Sequence, residues 1–373
     1  MHPEWTDAQR QIREQFRAFV DAEIRPHARR FDAEQRLSSD LAHRIGGRGL
    51  LIGDGLDALS LGLLHETVGA VCASTRSLLT VQGMVAAAIR RWGSATQRER
   101  WLPALANGTT VAAFALSEPD AGSDACALQC TAHADGEGFR LHGVKTWISF
   151  AEIAGLILLI ARLDGQLTAF LVERDTAGLT VEPIRGLLGA RASMLGTMRF
   201  EACHVPASAR IGGVGFGFAA VAATALDYGR YSVAWGSTGA AGACLEAAIT
   251  HARERKQFGK PLAEQALVQR LLTRMVVQVQ SARLLCARAG WLRQNQHPAA
   301  VSETSLAKYQ ATVCASAVAT DALQLLGARG IGGEADVERH FRDARVMELI
   351  EGSTQIQEIV LGARAVSGEA WLL

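Results

Sequence analysis

Proline is scarce in this chain, 8 in 373 residues, and after Pro206 only Pro261 and Pro298 remain. Little in the last 160 or so residues therefore forbids long helices. Surplus charge is also missing: 38 Lys and Arg stand against 37 Asp and Glu, for a formal net charge of +1. That balance excludes the basic excess usual in nucleic-acid proteins, though not a local patch. The seven cysteines (72, 126, 130, 203, 244, 286 and 314) form no C-x-x-C pair and are odd in number. A disulfide framework or a zinc cluster is excluded on that basis, and small, buried, reduced thiols are expected. The longest apolar run, Ala154–Ala161, falls far short of the ~20 residues of a membrane helix. Glu4, Asp7, Glu14, Asp21 and Glu23 crowd the first 30 residues, which fits neither a secretory signal nor a transit peptide. These absences predict a soluble, cytoplasmic protein with no membrane, nucleic-acid or metal partner.

An apolar share of 49% can fill a large core, and 37 glycines supply turns. Three zones differ in period. From residue 4 to about 112 the pattern is helical, with helices over Asp7 to about Ala28 and about 61–92. From 113 to about 213, Asp135-Gly136 and Asp164-Gly165 mark hairpin turns beside extended runs. Those runs are Phe139–His142, Leu156–Ala161, Leu167–Val172 and Met198–Val205, and they predict an antiparallel β-domain. Beyond 213 helices return, over 216–254, 263–294, 302–326 and 336–365. The expected architecture is mainly α with a β middle: an N-terminal α-helical domain (1–112), a barrel-like β-domain (113–213) and a C-terminal four-helix bundle (214–373).

Five segments carry chemistry. In Phe114–Asp124, Ser117, Gly122 and Ser123 can bring hydroxyls and backbone N–H groups to a polar ligand, or form an ordinary polar turn. In Lys145–Ser149, Trp147 on a strand edge can cover a flat aromatic ligand, or belong to the core. Arg255–Leu262 offers a cation, Phe258 and Gly259 for a phosphate, and reads equally as a basic helix end with a glycine cap. Gln324–Gly333 mimics a dinucleotide fingerprint but follows a helical pattern, so a helix–helix turn is expected. In Ile350–Gln355, Glu351 among apolar neighbours suits a base of raised pKa, or the end of a solvated helix face.

In this order and spacing the five segments resemble the acyl-CoA dehydrogenase flavoproteins, from about residue 7 to 365. The resemblance rests on Ser117-Glu-x-x-x-Gly-Ser-Asp124 and on the Gln324-x-x-Gly, Arg342-Asp and Glu351-Gly elements. It implies FAD held non-covalently between the β-domain and the C-terminal helices. Leu116, Ser117, Gly122 and Ser123 would lie along the flavin and thioester, with Trp147 and Ser149 flanking the ring. Ser353 and Gln355 would touch the same cofactor. Arg255, Phe258, Gln324 and Gly327 would reach the FAD of a neighbouring subunit, which implies a homodimer or a dimer of dimers. Glu351 would remove the α-proton while hydride passes from the β-carbon to flavin N5. Hydrogen bonds from the base's backbone N–H and an FAD hydroxyl would stabilise the developing enolate. Members with the base on an earlier helix carry it where Gly229 stands here, beside Arg230.

Departures within the family concern the substrate. The helix near Ser74 should line the acyl pocket, and Arg76, Thr80, Gly83 and Ala87 fall on one stripe. Fatty-acyl members need no cation there. An arginine suits a short acyl group with a carboxylate, hydroxyl or aldehyde, unless it snorkels to solvent. With Arg76, Thr80, Ser123 and Arg230 as substrate-side residues, two branches are similar. The Arg76-Ser77, Val81-Gln82 and Arg230–Gly236 patterns resemble glutaryl-CoA dehydrogenases. The stretches Arg76–Met84, Tyr228–Gly236 and Met347–Ser353 resemble the acyl-carrier-protein dehydrogenases that supply hydroxymalonyl and methoxymalonyl extender units for polyketides. That second branch implies FAD-dependent oxidation of a three-carbon glyceryl group on an acyl carrier protein, with a separate electron acceptor. A short-chain acyl-CoA dehydrogenase and a non-catalytic flavin scaffold are the alternatives. The family's Pro-Glu-x-x-Gly-Gly loop is missing from Gly49–Ser60. Ala328 and Ala266 stand where Gly and Gln are usual, which puts FAD affinity more in question than FAD identity.

Overall fold

The structure, a computed structural model, describes residues 5–333 and 335–367; Glu4 lies outside them. Six helices come first: α1 Asp7–Glu23, α2 Ala28–Glu34, α3 Leu41–Gly46, α4 Ala58–Gly69, α5 Ala73–Trp92 and α6 Ala95–Ala106. The helix expected to run to Ala28 stops at Glu23. Pro26 lacks the N–H that would continue the ladder, and a short 3₁₀ turn, Arg25–His27, replaces it. The helix expected over 61–92 is two helices. They break at Ala70-Val71-Cys72, where the Cys72 Sγ accepts from the Thr75 N–H at the start of α5. Where the Pro-Glu loop would stand, Gly49, Gly53 and Gly55 adopt positive φ, and Asp57 then caps α4.

The strands are β1 Ala112–Ala115, β2 Thr131–Asp135, β3 Gly138–Ile148, β4 Leu156–Leu163, β5 Gln166–Glu173, β6 Leu179–Pro183, β7 Gly196–Pro206 and β8 Arg210–Ile211. The Asp-Gly signals form hairpins: Asp135 pairs with Gly138, and Leu163 with Gln166 across Asp164-Gly165. The sheet runs β6-β7-β3-β2-β4-β5-β8, with β1 on β4. It is mixed rather than antiparallel, because β1 and β2 each pair parallel with β4. Those pairings link segments more than 25 residues apart, and hairpin signals carry no trace of them.

After a π-helical turn, Gly217–Ala222, the long helices follow: α7 Ala223–Glu254, α8 Ala266–Gln294 and α9 Ala300–Leu326. Between α7 and α8, β9 (Lys256–Gln257) and β10 (Lys260–Pro261) form a hairpin with Phe258 and Gly259 at its tip, both at positive φ. Of the two readings of this segment, the glycine-capped helix end is replaced by a β-hairpin. Gln324–Gly333 is a helix–helix turn, α9 passing through Gly327 into α10, Ala328–Ile331. The helix expected over 336–365 is broken into α11, Val337–Leu349, and α12, Thr354–Val366. Glu351 and Gly352 take positive φ between them, and Ser353 caps α12.

One core joins both helical zones. Leu63, Leu64 and Val68 of α4 pack with Ala241, Cys244 and Ala248 of α7, Cys286 of α8, and Ala311 and Ala315 of α9. Six of the seven cysteines are buried free thiols, as expected; Cys126 is exposed. The seam uses small residues because the helices nearly touch. A Cβ on Gly239 of α7 would lie 2.0 Å from the Glu66 carbonyl oxygen, which leaves no room for even a methyl group. Gly239→Ala should therefore cost about 1–3 kcal/mol in urea unfolding. Gly362→Ala, with nothing within 4 Å, should be neutral or stabilise by about 0.5–1 kcal/mol. Equal effects of the two changes would contradict this account of the seam.

Candidate active site

The Glu351 corner is the centre of the site. Its φ of 56° is unusual for a residue with a Cβ, and three side chains hold the turn. The Arg230 Nε donates to the Glu351 carbonyl at 3.1 Å, and the Gln357 Nε2 reaches it at 3.3 Å. The Lys308 Nζ donates to the Gly352 carbonyl at 2.7 Å. Opposite stands Gly229, where a Cβ would lie 2.6 Å from the Glu351 Oε2. The glycine at the alternative base position is thus what leaves room for the carboxylate.

That carboxylate is buried, and its Oε2 has no hydrogen-bond partner. Burial pushes its pKa up to about 7, against the pull of Arg230, Lys308 and Arg76. A carboxylate poised near neutrality and free of a partner can take a proton from a weak carbon acid. Lys308, fully buried in α9, is itself brought down to about 8 by burial, with Glu351 opposing.

Arg76 occupies the same region from α5. It is 1% exposed, so it does not snorkel. Its Nη1 donates to the Thr80 Oγ1 at 2.8 Å and its Nη2 to the Met347 Sδ at 3.0 Å. Among the described residues no carboxylate lies within ion-pair distance of it. Burial lowers its pKa to about 10, while Glu351 and Asp343 act to raise it, and it stays charged near neutral pH.

The Ser117 segment is shaped by Glu118 of its own motif and by Lys145 of a distant strand. The Lys145 Nζ, fully buried, donates to the Leu116 carbonyl at 2.9 Å and to the Glu118 Oε1 at 2.7 Å. Glu118 also accepts from the Gln129 and Cys130 N–H groups. The Thr146 N–H donates to the Ser117 carbonyl at 3.0 Å, which brings the Ser117 and Trp147 segments together. β3 runs inside the sheet, but its second half outruns β2, and there a bulge turns Trp147 outward. Trp147 is 61% exposed at a φ of 59° and so is not a core residue. Ser149 is half-buried beside it, Leu116 and Ser117 are half-buried, and Gly122 and Ser123 are exposed.

The remaining expected residues divide. Arg230 and Thr80 join Glu351 and Arg76, and Ser353 and Gln355 open α12 beside them. Arg255, Phe258, Gln324 and Gly327 are solvent-exposed, Phe258 by 94%. Sequence reading assigns no role to Lys308, Gln357 or Lys145, nor to Glu118 as the partner of Lys145. Lys308 and Gln357 are ordinary polar residues on helices and Lys145 one on a strand, and only Lys308 carries a signal, a charge at an otherwise apolar helix position.

Residues 6–109, 113–203 and 215–366 match, in turn, the N-terminal, middle and C-terminal domain models of acyl-CoA dehydrogenase. The chain belongs to the acyl-CoA dehydrogenase family. It is an oxidoreductase of that type, and the family uses FAD. It is 36% identical to the mitochondrial short-chain specific acyl-CoA dehydrogenase of Bos taurus, over 96% of this chain and 90% of that one. A glutaryl-CoA dehydrogenase from Mycobacterium smegmatis, solved with FADH2, superposes with a TM-score of 0.93 at 30% identity, covering 99% of this chain and 97% of that one. FkbI, described as being for biosynthesis of the methoxymalonyl extender unit of the Fk520 polyketide, superposes with a TM-score of 0.87 at 34% identity, covering 95% of this chain and 99% of that one. Among the described residues no helix is long and apolar enough to cross a membrane.

Glu351→Gln should fold and bind FAD yet lose at least about a hundredfold in flavin reduction by substrate, read by anaerobic stopped-flow bleaching. Retained turnover would remove Glu351 from the base role. In the wild type, kcat/KM should rise with pH through about 7 as Glu351 ionises, and Lys308→Met should move that limb upward by removing a cation. The stability signs follow from the same raised pKa. Ionisation of Glu351 weakens the folded state above about pH 7, and the effect vanishes below the ordinary carboxylate range. Glu351→Gln should therefore raise Tm at pH 8 and not at pH 4.

Proposed function

We propose that this enzyme oxidises a short polar acyl thioester, a three-carbon glyceryl-derived group on an acyl carrier protein, in the making of a polyketide extender unit. The observation that carries this reading is Arg76: a buried guanidinium with no carboxylate partner, in the region of Glu351. A fatty-acyl tail would leave that charge uncompensated, at a cost of several kcal/mol. Hydroxyl, aldehyde or carboxylate oxygens at the end of a three-carbon chain would satisfy it. The likeness to FkbI supports the same class.

The exposed Trp147 beside Ser117, the exposed Gly122–Ser123 turn and the start of α12 fit a flat, phosphate-bearing cofactor. Leu116, Ser117, Gly122, Ser123, Trp147, Ser149, Ser353 and Gln355 would hold FAD, which when bound supplies the hydride acceptor. Arg255, Phe258, Gln324 and Gly327 would serve the cofactor of a second subunit. Phe258, bare at a hairpin tip, is of use only against another surface, so we propose a homodimer or homotetramer.

Glu351 takes the α-proton onto its unpartnered Oε2. Arg230, Gln357 and Lys308 keep the corner fixed while that charge moves, and Arg76 anchors the far end of the acyl group, with Thr80 and Ser123 on the substrate side. Loss of the α-proton and of a hydride from a β-carbon bearing a hydroxyl leaves an enol, which rearranges to an aldehyde without further redox change. A separate electron acceptor must then reoxidise the reduced cofactor.

Arg76 also suits the distal carboxylate of a glutaryl group, so a glutaryl-CoA-type dehydrogenase is the second reading. Anaerobic mixing distinguishes them. Glyceryl-carrier protein should bleach the flavin, with the mass change on the acyl group read by intact-mass spectrometry, while glutaryl-CoA leaves it yellow. The reverse result selects the glutaryl reading. Arg76→Met should raise KM for the glyceryl thioester by about tenfold to a hundredfold. An unchanged KM and kcat would remove the polar-acyl assignment. A flavin that no thioester reduces would leave only a scaffold.

A further inference from the structure

A chain of polar side chains leads from Arg76 through Thr80 and Ser232 to His65, which lies outside every family-like stretch of the sequence. Thr80, Ser232 and His65 are each at most 2% exposed. The Thr80 Oγ1 donates to the Arg76 carbonyl at 2.8 Å, which uses its single proton. Thr80 is then an acceptor only, receiving the Arg76 Nη1–H at 2.8 Å and, across 2.6 Å, the Ser232 hydroxyl. The Ser232 proton is thereby spent as well. With the protons so placed, its 3.0 Å contact to the His65 Nδ1 runs from nitrogen to oxygen, which assigns His65 the tautomer with hydrogen on Nδ1. The bare Nε2 faces the Tyr228 hydroxyl at 3.5 Å. Burial and the nearby Arg76 hold His65 down to about 3, so it is neutral. Burial pushes the Tyr228 phenol up, so it keeps its proton. Every proton along the path is accounted for, and no carboxylate takes part.

We infer that His65, Ser232 and Thr80 form a one-way relay of neutral donors that fixes the Arg76 guanidinium without neutralising it, so that its Nη2, resting on the Met347 thioether, receives an oxygen of the acyl group. A carboxylate in place of the relay would position Arg76 equally well but would cancel the charge the substrate needs. A thioether is a weak acceptor, so the Nη2 contact at 3.0 Å is one that a substrate oxygen outcompetes. The role of the Nη2 rests on the polar-acyl reading given above; the tautomer does not. His65 and Ser232 are positioning residues, since they act through Thr80 and Arg76.

The test uses the FAD-loaded enzyme with glyceryl and propionyl thioesters on the same carrier. His65→Leu keeps much of the volume and loses the donor, whereas His65→Asn keeps an N–H where Nδ1 stood. His65→Leu should raise KM for the glyceryl thioester by about tenfold, the loss of one buried donor, with kcat and the propionyl KM within about twofold. His65→Asn should restore most of that loss. The opposite order, or equal losses on both thioesters, would overturn the relay. Should the variants fail to fold, neutron diffraction from wild-type crystals decides. Deuterium on the His65 Nδ1 and none on Nε2 is expected, and the other tautomer refutes the relay. Arg76→Met with undiminished use of the glyceryl thioester would instead sink the polar-acyl reading while leaving the tautomer result intact.

Discussion

The site depends on keeping a buried carboxylate and a buried guanidinium close without letting them pair. Glu351 and Arg76 influence each other's ionisation, yet the Glu351 Oε2 has no partner and Arg76 turns to a hydroxyl and a thioether. A direct ion pair would hold the Glu351 pKa low and end its usefulness as a base. It would also consume the charge of Arg76. Separation keeps the first near neutrality and the second available, and the cost is two poorly compensated ions in the interior.

The surrounding structure can be read as what makes that separation possible. Glu351 stands on a left-handed corner whose carbonyls are gripped by Arg230, Gln357 and Lys308, so three cations and amides bind the backbone rather than the carboxylate. Gly229 leaves space for the Glu351 carboxyl, and Gly236 does the same for Arg76, whose Cδ would lie 2.4 Å from a Cβ there. Both glycines belong to α7, one two turns after the other. A single helix thus sets the two ions' places by omitting side chains. The same helix contributes Arg230 and Ser232, so a shift of α7 would move the base's anchor and the relay behind Arg76 together.

Much of this was legible in the sequence, for physical reasons that differ by element. The hairpins were readable because Asp-Gly at a two-residue turn is a local signal, and the long helices because periodicity is local and proline is rare. Glu351 was readable as a lone acid among apolar neighbours and through the Glu351-Gly352 element, though Gly352-Ser353 should also have predicted the break between α11 and α12. Apolar periodicity on both sides hid it. The parallel pairing of β1 and β2 with β4 was not readable, since it depends on chain closure over tens of residues. Nor was the hairpin at Phe258, because Gly259 serves a helix cap and a tight turn equally.

The polar groups whose roles no motif gave share one property: their partners lie on distant segments, and apart from Glu118 they are backbone atoms or neutral side chains. Lys145 grips Leu116 and Glu118, Lys308 grips Gly352, and His65 meets Ser232. In one dimension each reads as a solvated residue on a helix or strand. Burial changes that meaning, because a buried donor must find an acceptor or destabilise the fold by roughly 1–3 kcal/mol. Following those obligatory partners through the core leads from Thr80 to a defined His65 tautomer, a result that residue spacing alone could not supply. Motifs identify the reacting atoms here; the proton inventory of the buried polar groups determines how those atoms are held.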